Sequence, residues 1–197
     1  RETCTASEKS LIQAPADGLK AKPFMIILSG PASGTLSQAL SKELSSTLGD
    51  VFWRIFPDGE SFMRLNKDVA GEDTIIVQST YPPQDTHLIQ LMMMLDLARD
   101  LNAKKVAAIV PYLGYMRQDK RFQPRECISA KTVAKLIDSL KPDLFITVDI
   151  HSDTVLSYFQ TKALNVSSMA QIGRWLKDQN LTNPLIVSPD LGAIDRA

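Results

Sequence analysis

From residue 24 onward, short apolar runs alternate with longer stretches of helical period, and that rhythm predicts βα units built around a parallel sheet. The runs lie at 24–29, 51–56, 74–79, 105–111, 144–149 and 185–188, each of strand length. Between them, 35–48, 85–102, 129–140 and 168–179 carry the three- and four-residue apolar spacing of helices. Gly49 and Asn102 are placed to close two of these helices, and Ser168 to cap the last. One interruption breaks the alternation. Phe56-Pro-Asp-Gly-Glu60 is a turn signal followed by a strand-like 60–65, so 51–65 is expected to form an inserted hairpin. A polar loop at 161–168 marks a weak boundary, with a new helix–strand pair beyond it.

Composition narrows this picture little. A chain of 197 residues holds one domain with a real core, or one domain and part of another. Its 44% apolar and 22% charged residues are ordinary for a soluble globular protein. The net charge of zero gives no electrostatic case for nucleic acid or an acidic membrane surface, and no apolar run is long enough for a transmembrane helix. Cys4 and Cys127 lie far apart without zinc or disulfide spacing, which points to a reducing cytosol. Residues 1–23 are polar and unpatterned and lack the apolar core of a secretory signal; they are expected to be a disordered leader, a transit remnant or a misassigned start. The chain stops just after the apolar run 185–188, where a helix should follow, so truncation is expected there.

In open parallel sheets, ligands gather just past the carboxyl ends of strands. Three such places carry chemistry here: Pro111-Tyr-Leu-Gly-Tyr-Met-Arg117-Gln118-Asp119-Lys120-Arg121, Asp149-Ile-His151 and Ser188-Pro-Asp190. His151 is one of two histidines, and its place two residues past a strand-end aspartate favours a functional role over a structural one. Its ring nitrogen and the Asp190 carboxylate are candidate partners for a divalent ion, with Asp149 either supporting the ion's ligands from behind or orienting His151. Asp190 is also placed to cap a following helix. His87, at a helix start, is expected to have no catalytic role. Arg117 offers planar, bidentate recognition of phosphate, although a run of charges is often only a solvated face. Phe56, Asp58 and Glu60 are ordinary hairpin residues that can also supply a stacking ring and carboxylates for an amino group. Leu91-Met-Met-Met-Leu95 reads as core or subunit contact. The glycine-bearing 29–34 is only loosely a phosphate loop, and neither a Walker nor a Rossmann glycine pattern occurs.

Taken in order, Phe56-Pro-Asp-Gly-Glu60, Gly71-Glu-Asp-Thr74 with Ile-Ile-Val-Gln-Ser79, the 111–120 segment, Ile128-Ser-Ala-Lys131, Asp149-Ile-His151 and Val187-Ser-Pro-Asp190 resemble the ribose-phosphate pyrophosphokinases, or PRPP synthetases, over residues 24–197. The variant 121–129 is similar to archaeal-type members more than to animal ones. The resemblance implies an α/β fold with the three-layer, parallel-sheet architecture of type I phosphoribosyltransferases. It divides the chain into an ATP-binding and oligomerising domain at 24–165 and the incomplete start of a second, similar domain at 166–197. It further implies a cytoplasmic dimer or hexamer that transfers pyrophosphate from Mg-ATP to the C1 hydroxyl of ribose 5-phosphate, giving PRPP and AMP. Phe56, Asp58, Gly59 and Glu60 would bind adenine, in a neighbouring subunit's site; Arg117 and Gln118 would hold the rest of ATP. His151 would be catalytic and contact Mg²⁺ or the phosphates, and Asp190 would join the Mg²⁺ and ribose 5-phosphate site. Asp58 departs from the asparagine common in the family. The family's basic catalytic loop and its acidic ribose-phosphate loop are expected downstream of Ala197, so the chain alone is expected to bind nucleotide weakly and not to catalyse. A non-catalytic assembly homologue is the alternative.

Overall fold

The computed structural model describes residues 25–188 and 194. The expected leader at 1–23 and the site residue Asp190 therefore lie outside the described residues.

The expected βα rhythm is present. Strands β1 (Met25–Ser29), β2 (Thr47–Gly49), β5 (Asp73–Val77), β6 (Lys105–Val110), β7 (Leu144–Val148) and β8 (Ala163–Val166) form one sheet in the order β2-β1-β5-β6-β7-β8. Every pairing in it is parallel. β3 (Val51–Ile55) and β4 (Ser61–Leu65) form a separate antiparallel hairpin, as the turn signal required. Helices α1 (Gly34–Glu43), α2 (Gln84–Asp100) and α3 (Ser129–Ser139) connect successive strands of the large sheet, and α4 (Met169–Asp178) follows it. The path β1-α1-β2 moves toward one edge of the sheet, whereas β5-α2-β6-α3-β7 moves toward the other. Right-handed crossovers then place α1 on one face and α2 and α3 on the opposite face, giving three layers.

Burial follows the period of each element. Ile26, Leu28, Ile76, Val106, Ala108, Val110 and Phe145 fill one side of the sheet, and Leu91, Met94, Leu95, Ala98, Val133, Ala134 and Ile137 face them from α2 and α3. The Leu91–Leu95 stripe is thus core at Leu91, Met94 and Leu95, with Met92 and Met93 packed at its margin. Phe145 stacks on Phe159 at 4.6 Å between ring centres.

Helix ends show where local chemistry overrode the pattern. α2 closes as expected: Asn102 takes a left-handed φ of 58°, its N–H reaches Arg99 O, and Ala103 N–H reaches Ala98 O. α1 stops earlier than Gly49. Ser45 takes φ 48° and makes the same pair of closing bonds, from Ser45 N to Lys42 O and from Ser46 N to Ser41 O. The chain freed in this way pairs with β1 as the edge strand β2, with Leu28 opposite Gly49. The loop expected at 161–168 likewise contains an edge strand, β8, after a 3-10 helix at Asp153–Tyr158. The run 185–188 forms no strand. Leu185, Ile186 and Val187 are exposed and pair with no other described strand, so apolar character alone does not order them there.

Candidate functional site

Parallel register brings the carboxyl ends of the strands into line, with Ser29 beside Val77 and Val77 beside Ile109. The loops 30–34, 78–83, 111–128 and 149–152 therefore all leave one edge of the sheet. Of the three strand ends selected from sequence, those of β6 and β7 meet. They wall a cavity of about 520 Å³ lined by residues that include Tyr112, Tyr115, Arg117, Gln118, Asp149 and His151. The third lies at 185–188, where no strand forms.

Backbone clasps hold the walls. Thr80 N–H donates to Tyr112 O at 2.8 Å, and the Thr80 hydroxyl accepts from Gly114 N–H at 2.7 Å, tying the β5 end to the loop that carries Arg117. Tyr115 lies in the left-handed region at φ 69°, as does Asp149 at φ 46°, conformations uncommon for residues other than glycine. Asp149 is held there by β8 and the start of α4. Asp149 N–H donates to Val166 O at 3.0 Å, Ile150 N–H donates to Asn165 Oδ1 at 3.0 Å, and Asp149 Oδ2 accepts from the Ser168 N–H and hydroxyl. Ser168 thus begins α4 as expected, but its side chain binds Asp149 instead of capping the helix.

Within this frame the functional groups are left available. Arg117 and His151 are exposed, and neither makes a hydrogen bond or ion pair among the described residues. Gln118 is held by the loop that follows it. Its Nε2 donates to Glu126 Oε2 at 2.9 Å and to Lys120 O at 3.2 Å. Glu126 Oε2 also accepts from Phe122 N–H at 2.9 Å and Gln123 N–H at 3.0 Å. The N–H groups of Gln123 and Phe122 hold the Glu126 carboxyl below the usual carboxylate range, with Gln118 adding to them. Sequence reasoning missed Glu126 and Thr80. Glu126 lies beyond the 117–121 charge run, and only the loop's return brings it to Gln118. His87 lies at the start of α2 with its Nδ1 2.7 Å from Tyr81 O.

The hairpin turn stands apart. Phe56 N–H bonds Glu60 O at 2.8 Å, Gly59 takes φ 92° as the tight turn requires, and Asp58 Oδ1 accepts from Glu60 N–H at 3.1 Å. Gly59 and Glu60 line a different hollow, of about 400 Å³, with Asp85, Thr86 and Ile89. The two cavities have different linings, although Gln84 of the first and Asp85 of the second are neighbours in the chain. A further hollow of about 540 Å³ lies where the sheet order reverses between β1 and β5. It is lined by 31–36, Ser79, Tyr81 and Pro111, with no charged side chain. There Gly30 packs so closely on the buried Gln78 that a Cβ would lie 2.1 Å from its Oε1, which itself accepts from Ala32 N–H. No group of three His, Cys, Asp or Glu suited to a metal occurs among the described residues, nor does a helix long and apolar enough to cross a membrane.

Comparison with known proteins agrees with this architecture. The family model for the N-terminal domain of ribose phosphate pyrophosphokinase matches residues 25–140. A ribose-phosphate pyrophosphokinase of Saccharolobus solfataricus is 43% identical over 173 residues, covering 88% of this chain and 59% of that protein. The Agrobacterium fabrum protein of the same name is 37% identical over 174 residues, covering 56% of its own length. The crystal structure of phosphoribosylpyrophosphate synthetase from Mycobacterium smegmatis superposes with a TM-score of 0.75 at 29% identity, over 79% of this chain and 52% of that one. The chain thus spans little more than half the length of these relatives. A matched N-terminal domain, archaeal and bacterial relatives identical at more than a third of the aligned residues, and a common parallel-sheet fold make this chain a member of the ribose-phosphate pyrophosphokinase family.

Proposed function

We propose that the cavity at the ends of β6 and β7 is a nucleotide phosphate site, part of a ribose-phosphate diphosphokinase that transfers pyrophosphate from Mg-ATP to the C1 hydroxyl of ribose 5-phosphate. The observation that carries this reading is the meeting of Arg117, Gln118 and His151 in one cavity, with Arg117 and His151 left without partners among the described residues. A structural module has no use for an unpaired guanidinium and imidazole held by strained, clasped loops. Phosphoryl-type transfer rests on positioning and on neutralising charge, and these residues are suited to both. Arg117 binds phosphate oxygens through its planar fork. His151 contacts the same phosphates and orients them for in-line attack by the sugar hydroxyl.

The donor set fits an ion carried by its substrate better than a protein-built metal cage. Mg²⁺ prefers oxygen ligands, and the described residues offer His151 beside an Asp149 whose Oδ2 is already engaged by Ser168. His151, with Asp190, would hold Mg²⁺ that arrives with ATP. The ion would supply charge neutralisation across the phosphates. Asp190 would also meet ribose 5-phosphate. Phe56, Asp58, Gly59 and Glu60 face a second subunit's nucleotide, so the working form is a homo-oligomer, a dimer or hexamer, in the cytoplasm. Residues 24–165 would form the ATP-binding domain and 166–197 the start of a second, a division that falls one residue before the end of β8. In a protein of its relatives' length, His151→Ala should lower ribose 5-phosphate-dependent release of AMP by on the order of 10²-fold, and His87→Ala should change it little. Equal rates for the two variants would remove His151 from the site. Absence of any AMP release with Arg117 and His151 intact would favour the alternative, a non-catalytic assembly homologue.

A further inference from the structure

Resting on that reading, we propose that Glu126 is a positioning residue that fixes Gln118 as a hydroxyl reader, so that this side chain accepts from the sugar of the nucleotide and does not donate to its phosphates. A glutamine carboxamide has two N–H donors and one carbonyl oxygen. Both donors are committed, one to Glu126 Oε2 at 2.9 Å and one to Lys120 O at 3.2 Å. Those two partners are acceptors only, so they also settle which way the carboxamide faces. The flipped amide would set its oxygen against a carboxylate and a carbonyl. Oε1 is then the one polar atom of the Gln118 side chain without a partner among the described residues, in a side chain that lines the cavity.

A free carbonyl oxygen selects a donor. Phosphate oxygens near neutral pH are acceptors and are repelled by it, whereas ribose hydroxyls donate to it. The neighbouring Arg117 is the complementary group, with five N–H donors and no acceptor. The Arg117-Gln118 pair therefore divides a nucleotide between phosphate and sugar. Glu126 makes the division possible because the same oxygen that holds Gln118 also takes the N–H groups of Phe122 and Gln123, which anchors it to the backbone of the loop.

The test measures dissociation constants of Mg-ATP and Mg-2′,3′-dideoxy-ATP by calorimetry on the full chain, for the wild type and for Glu126→Ala, Glu126→Gln and Arg117→Ala. The wild type should prefer ATP by roughly three- to tenfold, the value of about one hydrogen bond. Glu126→Gln keeps an acceptor oxygen and should retain most of that ratio. Glu126→Ala frees the Gln118 donors and should bring the ratio close to one. A merely structural role for Glu126 would weaken both nucleotides alike and leave the ratio standing, which overturns the proposal, as does a wild-type ratio of one. If Arg117→Ala weakens both nucleotides while the ratio ignores Glu126, the site survives and this inference alone fails. If Arg117→Ala changes neither, the nucleotide site itself is wrong and the inference falls with it.

Discussion

The strand-end loops of β6 and β7 and the β3–β4 hairpin both hold residues assigned to one nucleotide site, yet they are built on opposite terms. The loops stand on the most buried part of the molecule. Val110 and Phe145 beneath them are fully enclosed, and clasps from Thr80, Asn165 and Ser168 force Tyr115 and Asp149 into left-handed backbone. The hairpin is a two-stranded ribbon tied down by Met63, by the Trp53 indole reaching Ser29 O at 3.4 Å, and by Gln90 Nε2 donating to the Ser61 hydroxyl at 3.0 Å. Its outer face leaves Phe52 and Phe62 in solvent, with Arg54 over the Phe56 ring at 5.0 Å and Arg64 over Phe52 at 5.3 Å. A scaffold that over-determines its loops can present unpaired charged groups. A ribbon that exposes aromatic rings needs another surface to complete it.

The contrast breaks most visibly if stability does not follow it. Phe145→Ala should cost about 3–5 kcal/mol, lowering the melting temperature by roughly 6–20 °C, because the ring is fully buried against Phe159. Phe56→Ala should lower it by only a few degrees, about 1 kcal/mol or less, in the same thermal melt. Comparable losses would mean that the hairpin is as much a part of the core as the sheet. Next in size, Arg117→Ala should weaken Mg-ATP binding by roughly 10- to 100-fold, the value of a charge-assisted contact, without moving the melting temperature. Calorimetry beside a melt separates the two readouts, and a loss of stability would show Arg117 to be structural.

Legibility in the sequence divides along the same line. β1, β5, β6 and β7 could be read because central parallel strands are apolar on both faces. β2 and β8 could not, because Thr47, Leu48 and the exposed 164–166 lie at the sheet's margins and are held by backbone pairing to β1 and β7. The run 185–188 failed in the opposite sense, apolar without a partner strand. Arg117, Gln118 and His151 were legible because strand ends in parallel sheets converge. Glu126 was not, because its bond to Gln118 depends on a loop doubling back over eight residues.

Two smaller effects sharpen the account of the scaffold. Thr147 on β7 is fully buried, and its hydroxyl has no partner among the described residues. Thr147→Val should therefore raise stability by about 1 kcal/mol, and a lower melting temperature would mean that the hydroxyl is satisfied. Asp143, just before β7, accepts from Val106 N–H at 2.7 Å and from Arg99 at 2.8 Å. Partial burial alone would raise its pKa. The Val106 and Arg99 bonds and the charges of Arg99 and Lys105 outweigh that and lower it. A carboxylate with a depressed folded-state pKa adds stability that is full above the unfolded value of about 3.9 and is lost as pH falls through the folded value. Asp143→Asn should thus be slightly less stable than wild type at pH 7, with the gap closing below about pH 4. A gap that persists at low pH would assign the effect to packing.

The central claim is that nucleotide binds at the ends of β6 and β7, and the chain carries its own two reporters. His151 lines that cavity, while His87 sits against Tyr81 outside it. Following both imidazole signals by NMR while titrating the full chain with Mg-ATP tests the claim directly. The account predicts a saturating shift of the His151 signal with His87 nearly still. A response from His87 alone, or equal responses from both, would contradict it.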